Sequence, residues 1–269
     1  MTNNPTGISI KDLLHMKQQN QKIACLTAYD ASFSQLLDEQ GIDVILVGDS
    51  LGMVIQGKNT TLPVTLDDMV YHSRCVISGS KNACVVCDLP FMSYATPQQA
   101  ATSSARIMQK GGAHMVKLEG GRNRAETIHH LVGQGIPVCG HLGLTPQSIH
   151  QIGGFHFQGK DENSANTILD DAKILQQAGV SLLVLECIPS DLATKISHSL
   201  TIPTIGIGAG SGCDGQVLVL YDMLGISPGK RPKFSHNFLA ENGDINAAVK
   251  KYIEAVRSGD FPNSNHIHN

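Results

Sequence analysis

Polar residues stand at the ends of several short apolar runs in this sequence. In VILVGDSLGM (44–53), an apolar run stops at a glycine and is followed by a carboxylate and a hydroxyl. The run ends along the chain carry Asp30, Asp49, Ser50, Asp88, Lys117, Glu119, His141 and Glu186. A single acid in such a place usually caps the next helix. Several acids, a lysine and a histidine can form one reactive site only if the fold brings the run ends together.

Apolar runs of this kind alternate with amphipathic stretches over the whole chain, which decides the predicted fold. The predicted strands are residues 23–30, 43–50, 83–90, 113–121, 136–144, 181–189, 201–210 and 216–225. Alternating strands and helices favour a parallel sheet covered by helices. Eight such units in 269 residues fit a single closed (β/α)8 TIM barrel. An open, doubly wound sheet is the alternative.

Helix signals support this arrangement and define the predicted domain. Thr65 with Asp68, and Thr96 with Pro97, mark helix starts. Residues 8–20 are predicted to form a helix that covers the barrel floor, and residues 244–259 a closing helix. We expect one catalytic domain over 1–269, with 1–7 and 260–269 as loose tails.

In a barrel of this type the carboxyl ends of all strands meet at one mouth, where chemistry takes place. Carboxylates gathered there repel one another unless a cation lies among them. Oxygen ligands favour a hard ion, above all Mg²⁺. Asp49 and Asp88 are predicted as direct ligands, and Glu119 as a direct or water-mediated one. His141 is a poor ligand for such an ion and is predicted to donate a hydrogen bond to substrate or to a Glu.

Two further features leave alternatives open. Glu186 ends a wholly apolar run, so it is either a general base in a partly dry pocket or a solvent-exposed strand end. The glycine-rich stretch 206–215 lacks the GxGxxG spacing of dinucleotide sites, because position 211 is Ser. After a late barrel strand, small residues of this kind more often let backbone approach a ligand or anion.

The composition excludes several classes of function. A net charge of -3, 4% aromatic residues and no Trp disfavour a nucleic-acid surface. No apolar run is long enough to span a membrane, and the polar N-terminus lacks a signal core. The seven cysteines have no framework spacing, which indicates reduced thiols in the cytoplasm. Cys84 and Cys87 lie in one predicted strand and face opposite sides, so they are read as core thiols rather than a redox or zinc pair.

Nine short motifs together resemble the ketopantoate hydroxymethyltransferase (3-methyl-2-oxobutanoate hydroxymethyltransferase) family. The match runs in order from about residue 8 to about residue 256, and only the two termini lie outside it. The motifs are LTAYD, VGDSLGM, GKNTTLPVT, YHSR, DLPFMSYAT, MVKLEGG, VCGHLGLTPQS, LECIP and IGIGAG. HLGLTPQ and DSLGM are the most specific of them.

The resemblance implies a reaction, an assembly and a set of site residues. The reaction moves a one-carbon unit from 5,10-methylenetetrahydrofolate to 3-methyl-2-oxobutanoate, giving 2-dehydropantoate in the first step of pantothenate biosynthesis. The implied fold is a (β/α)8 barrel of the phosphoenolpyruvate/pyruvate superfamily, assembled as a homodecamer of two pentameric rings. The implied residues are Asp49, Asp88 and Glu119 for the metal, Ser50 and Lys117 for the keto acid, and Glu186 as catalytic base. Asp49, Asp88 and His141 are also predicted to contact the substrate.

Two other classes of function remain as alternatives. One is another Mg²⁺-dependent enzyme of 2-oxo-acid enolates on the same scaffold, such as a carbon–carbon lyase or a phosphonate mutase. A reactive cysteine in the loop 51–65 would favour the lyase, and that loop contains none. The other is a non-catalytic barrel that only forms rings, against which the complete set of strand-end residues argues.

Overall fold

The apolar runs form strands that are buried along nearly their whole length. The structure is a computed structural model that describes residues 7–229 and 231–267. The strands are β1 (Ile23–Thr27), β2 (Val44–Val47), β3 (Cys84–Asp88), β4 (Met115–Glu119), β5 (Val138–Gly143), β6 (Leu182–Glu186), β7 (Thr204–Ile207) and β8 (Gly215–Leu218). Each strand pairs in parallel with the next, and β8 pairs with β1. The prediction of a closed barrel is therefore confirmed, and the open sheet is not.

Helices connect the strands around the outside of the barrel. They are α1 (Ile10–Gln18), α2 (Ala31–Glu39), α3 (Leu51–Val54), α4 (Leu66–Gly79), α5 (Pro97–Arg106), α6 (Ala125–Gly133), α7 (Ile149–Ile152), α8 (Glu162–Ala178), α9 (Ser190–Ser199), α10 (Leu220–Met223), α11 (Phe238–Asn242) and α12 (Ile245–Ser258). Thr65 and Thr96 cap their helices as predicted, and Asp244 caps α12. In the described part of the chain, no helix is both long and apolar enough to cross a membrane.

The barrel interior is filled by alternate side chains of the strands, and α1 covers its lower end. Leu13 of α1 is completely buried and belongs to the same apolar cluster as the inward-facing strand residues. Lys17 ties α1 to the barrel, because its Nζ lies 2.7 Å from Asp214 Oδ2. Cys84 belongs to the interior cluster and Cys87 to the outer one, which confirms that they face opposite sides.

The end of the chain differs from the loose tail predicted for 260–269. Phe261 is buried, and its ring centroid lies 5.6 Å from that of Phe238 and 5.8 Å from that of Tyr252. His266 packs on Phe261 at 5.1 Å. The aromatic partners come from α11 and α12, so residues up to 267 are held by packing that a local reading of a polar segment does not reveal. Residues 1–6, 268 and 269 lie outside the described residues.

Asp38 fastens α2 to the segment that enters β3. Its carboxylate accepts hydrogen bonds from Ser80 Oγ at 2.8 Å, from the backbone and side chain of Asn82 at 2.9 and 2.8 Å, and from Ala83 N at 2.9 Å. Burial raises the pKa of Asp38, but these hydrogen bonds outweigh burial and lower it. The charged form therefore stabilises the fold above the ordinary pKa of 3.8, and this contribution is lost as the pH falls through the folded pKa.

We expect Asp38→Ala to lower the free energy of unfolding by about 2 to 4 kcal/mol at neutral pH, because several buried donors lose their acceptor. Urea denaturation of the variant and the wild type measures the difference. The difference should shrink in acid, where wild-type Asp38 is protonated. Asp170→Ala, on the exposed face of α8, is the control. Equal stability of Asp38→Ala and wild type at neutral pH would contradict this role.

Candidate active site

The carboxyl ends of β3 to β6 bring four charged side chains and a histidine into one connected group. Lys117 Nζ lies 2.7 Å from Asp88 Oδ1 and 3.4 Å from His141 Nδ1. His141 lies between two glutamates, with Nδ1 3.5 Å from Glu119 Oε1 and Nε2 3.1 Å from Glu186 Oε2. All are buried except Glu186, whose side chain is 16% exposed. The strand-end residues predicted from sequence thus meet at one mouth.

Asp49 joins this group through the backbone that follows β2. Its amide N donates to Asp88 Oδ2 at 3.0 Å, and its own carboxylate is buried. Ser50 lies next to it and its Oγ is 2.9 Å from the hydroxyl oxygen of Tyr29. Asp30, the remaining strand-end acid, belongs elsewhere, because it caps α2 by accepting from Phe33 N at 2.9 Å. One of the acids in the original pattern is therefore a helix cap.

Gln147, in the loop after β5, is a site residue that the sequence reading did not single out. Its Nε2 donates to Asp49 Oδ2 at 2.8 Å and to Leu89 O at 2.9 Å. Its backbone N donates to Glu119 Oε2 at 3.0 Å, and its Oε1 accepts from Tyr94 OH. The only sequence signal was its place in the HLGLTPQ motif. Gln147 holds the carboxylates of β2 and β4 at fixed positions relative to each other.

We expect Gln147→Leu to lower both stability and turnover. The substitution leaves the Leu89 carbonyl and the Asp49 carboxylate without this donor and the Tyr94 hydroxyl without its acceptor, each costing about 1 to 3 kcal/mol. Turnover should fall by about tenfold or more, because the carboxylates are no longer positioned. Thermal melting and steady-state kinetics measure the two effects. Gln35→Leu, at an exposed position on α2, should change neither.

The charged groups in the site shift one another's pKa values. Burial raises the pKa of Asp49, and the neighbouring carboxylates Asp88 and Glu119 raise it further. Burial lowers the pKa of Lys117, but the three carboxylates around it raise it by more, so its ammonium group stays charged. The Lys117 ammonium faces three buried carboxylates, and an additional cation would relieve the remaining repulsion.

His141 is positively charged at neutral pH. Burial and the charge of Lys117 lower the pKa of His141. The carboxylates of Glu119 and Glu186 outweigh both effects and raise this pKa to about 9. A protonated imidazole has only donors, so His141 has no lone pair with which to accept a substrate proton. Glu186 lies partly exposed beside it.

The donor set is consistent with a divalent cation. Among the described residues, no three His, Cys, Asp or Glu side chains are grouped closely enough to hold a metal ion on their own. Mg²⁺ usually takes only one or two carboxylates and completes its shell with water and substrate oxygens. Asp49 and Asp88 supply such carboxylates, and the repulsion that raises the pKa of Asp49 is what a cation would offset. The residues present therefore fit a hard divalent ion.

Solved structures of similar fold define the class of barrel. A 2,3-dimethylmalate lyase, described as a member of the PEP mutase/isocitrate lyase superfamily, superimposes with a TM-score of 0.58 at 16% identity, over 78% of this chain and 77% of that one. A phosphonopyruvate hydrolase solved with oxalate and Mg⁺⁺ gives 0.60 at 9% identity, over 78% and 80%. At these identities the likeness concerns the fold. The chain therefore has the (β/α)8 barrel fold of these enzymes.

Sequence comparison narrows the class to one family. The sequence model of the ketopantoate hydroxymethyltransferase family matches residues 7–264. The 3-methyl-2-oxobutanoate hydroxymethyltransferase of Nitrosococcus oceani is 58% identical over 95% of this chain and 97% of its own length. That of Shewanella loihica is 56% identical over 96% and 98%. The chain belongs to the ketopantoate hydroxymethyltransferase family, as its motifs indicated.

Proposed function

We propose that this protein transfers a one-carbon unit from 5,10-methylenetetrahydrofolate to 3-methyl-2-oxobutanoate, as the names of its close relatives imply. One water is consumed, and the products are 2-dehydropantoate and tetrahydrofolate. The observation that carries the proposal is the linked group of Asp88, Lys117, His141, Glu119 and Glu186 at the barrel mouth. It combines a fixed positive charge with a partly exposed carboxylate base, which removal of a proton next to a ketone requires.

Each residue of the group has a role in this reaction. Glu186 accepts the proton from C3 of the keto acid. The resulting enolate carbon attacks the methylene carbon of the folate as one of its two C–N bonds breaks, and water then displaces the second nitrogen, which gives the hydroxymethyl group and tetrahydrofolate. Lys117 faces the negative charge that develops on the substrate. Ser50 donates a hydrogen bond from its hydroxyl group to the keto acid. His141 lies between Glu119 and Glu186 and helps to position both through its positive charge.

Asp49 and Asp88 are the proposed ligands of Mg²⁺, with Glu119 bound directly or through water. The ion, when bound, polarises the ketone and stabilises the enolate charge. A 2-oxo acid offers a carboxylate oxygen and a keto oxygen, as oxalate in the related hydrolase structure offers two carboxylate oxygens. Gln147 donates to Oδ2 of Asp49, so Oδ1 is the oxygen of this carboxylate proposed to face the ion.

A turnover assay tests the proposal. Purified protein with Mg²⁺, 3-methyl-2-oxobutanoate and 5,10-methylenetetrahydrofolate should produce 2-dehydropantoate. The control substrate is 3,3-dimethyl-2-oxobutanoate, which has the same 2-oxo acid group but no hydrogen on C3. It should inhibit without reacting. Failure to form 2-dehydropantoate with the first substrate would overturn the proposal.

Lys117→Met tests the role of the buried ammonium group. Methionine keeps the length of the side chain and removes its charge, so we expect kcat/KM for the keto acid to fall by about 10²- to 10³-fold. Breaking the buried pair with Asp88 also costs stability, about 3 to 5 kcal/mol, so kinetics are measured below the melting temperature of the variant. An unchanged kcat/KM in folded Lys117→Met would leave Lys117 a purely structural role.

The alternatives from the sequence are less well supported. The 2,3-dimethylmalate lyase and the phosphonopyruvate hydrolase share only the fold, at 16% and 9% identity, whereas the hydroxymethyltransferases named above share more than half of the residues. A non-catalytic barrel would have no need for a buried lysine among carboxylates, because such charges cost stability.

The proposal also covers the cellular compartment and the oligomeric state. All seven cysteines are free thiols, six of them buried, which supports a reducing compartment and hence the cytoplasm. The homodecamer of two pentameric rings remains a prediction from the family resemblance. Light scattering after size-exclusion chromatography should give ten times the subunit mass.

A further inference from the structure

A cavity of about 160 Å³ lies directly beside the proposed active site. It shares Glu119 and Gln147 with that site, and the rest of its wall comes from the loops after β3 and β4 and from Ser148 after β5. Through His141, Glu119 is linked to Glu186, the proposed base. A molecule in the cavity is therefore next to the reacting centre without needing the contacts proposed for the keto acid.

The wall of the cavity combines flat apolar surface with one cation. Phe91 and Met92 are 45% and 58% exposed, although large apolar side chains are usually covered. Tyr94 lies beside them, and the guanidinium carbon of Arg124 is 5.0 Å from the centroid of the Tyr94 ring. Arg124 Nε is buried and has no hydrogen-bond partner. Aromatic and thioether surfaces with an unused donor suit a flat, polar-edged ring.

Backbone conformation keeps this wall in place. Met92 has a φ of 61°, an uncommon value for a residue other than glycine, and its carbonyl accepts from Gln99 Nε2 at 2.7 Å. Gly120 has a φ of 120°, and a Cβ there would come within 2.8 Å of Arg124 Cγ. Glycine at 120 therefore permits the position of Arg124. Strained backbone of this kind is typical of ligand-contacting loops.

We infer that this cavity receives the pteridine ring of the one-carbon donor, with the ring against Phe91, Met92 and Tyr94 and the guanidinium group of Arg124 donating to a polar atom on its edge. The inference rests on the proposed function, which requires a folate beside the keto acid. A bicyclic heteroaromatic ring matches the flat apolar wall and the single donor, whereas the small branched alkyl group of the keto acid would leave Arg124 unused. The placement brings the methylene carbon of the donor toward Glu119 and the keto acid.

Two variants test the inference, each with a matched control. Arg124→Met removes the donor, and its control is Arg74→Met, where Arg74 lies 5.9 Å from the Tyr71 ring outside the cavity. Phe91→Ala removes an aromatic wall, and its control is Phe155→Ala, which is 52% exposed and does not line the cavity. Calorimetry with tetrahydrofolate under anaerobic conditions gives the affinity. Deuterium exchange at C3 of the keto acid, without folate, reports the keto-acid site separately.

We expect tetrahydrofolate affinity to fall by about ten- to a hundredfold in Arg124→Met and by about tenfold in Phe91→Ala. Both controls should bind as the wild type does. Normal tetrahydrofolate binding in both cavity variants would overturn the inference. The inference would also be overturned if the cavity variants bound tetrahydrofolate normally but lost keto-acid affinity and deuterium exchange, because the cavity would then belong to the keto acid. A third outcome separates the two claims. If the wild type neither exchanges nor turns over, the proposed function is contradicted. If Arg124→Met nevertheless binds tetrahydrofolate more weakly than that wild type, the cavity is still supported as the folate site.

Discussion

Asp49→Asn is expected to lower turnover by about 10²- to 10³-fold while the fold is retained. Asparagine has nearly the volume of aspartate, and its carbonyl oxygen still accepts from Gln147 Nε2, which lies 2.8 Å from Asp49 Oδ2. What is lost is one negative charge among the proposed metal ligands. The weakened site should be rescued in part by excess Mg²⁺, since mass action restores occupancy. Asp88→Asn should lower turnover by a similar factor but should also lose stability, because it removes the ion-pair partner of the buried Lys117.

Stability measurements separate this effect from misfolding. Burial and the nearby carboxylates raise the pKa of Asp49, so the charge at position 49 is unfavourable in the metal-free protein. Without metal, Asp49→Asn should melt at or above the wild-type temperature. With Mg²⁺, the wild type should gain stability and the variant should not. Full activity of the variant, or of chelator-treated wild type, would exclude Asp49 as a metal ligand.

Glu186→Gln has the second large expected effect. Glutamine keeps the size of the side chain and can still accept from His141, but it cannot take a proton. A positioned general base contributes about 10²- to 10⁴-fold, so kcat should fall by that factor. Keto-acid binding should stay within a few-fold, because Lys117 and the proposed metal ligands are unchanged.

The alternative for Glu186, a solvent-exposed strand end, predicts little change in kcat. Glu162→Gln, in the exposed first turn of α8, is the matched control and should be fully active. His141 is the next candidate for the base if Glu186→Gln retains activity. Its contacts with two carboxylates raise its pKa to about 9 and so argue against that role.

The barrel was predictable because its signal is repeated and local. All eight predicted strands exist, and buried parallel strands are apolar nearly throughout. Their lengths were overestimated: the stretch 201–210 contains only Thr204–Ile207 as strand. The flanking Pro203 has no N–H to give to the strand ladder, and the glycines after Ile207 turn the chain away from the sheet. Composition alone does not show where pairing stops.

The candidate site was predictable at the strand ends and less so in the loops. Once the strands are parallel and closed, the residues that end them must meet, which places Asp88, Lys117 and Glu119 together. Asp30 follows a strand in sequence, yet it lies three residues beyond the end of β1 and caps α2. Gln147 and Arg124 stand in loops whose path depends on distant contacts. Their roles are visible only in three dimensions.

The most direct test of the central claim is proton exchange at C3 of 3-methyl-2-oxobutanoate. Wild-type protein with Mg²⁺ in D₂O, without any folate, should replace the C3 hydrogen by deuterium, followed by proton NMR. Glu186→Gln should slow this exchange by about 10²- to 10⁴-fold, and removal of Mg²⁺ should also suppress it. Exchange at the wild-type rate in Glu186→Gln, or no exchange in wild type, would contradict an enolate formed by Glu186 at this site.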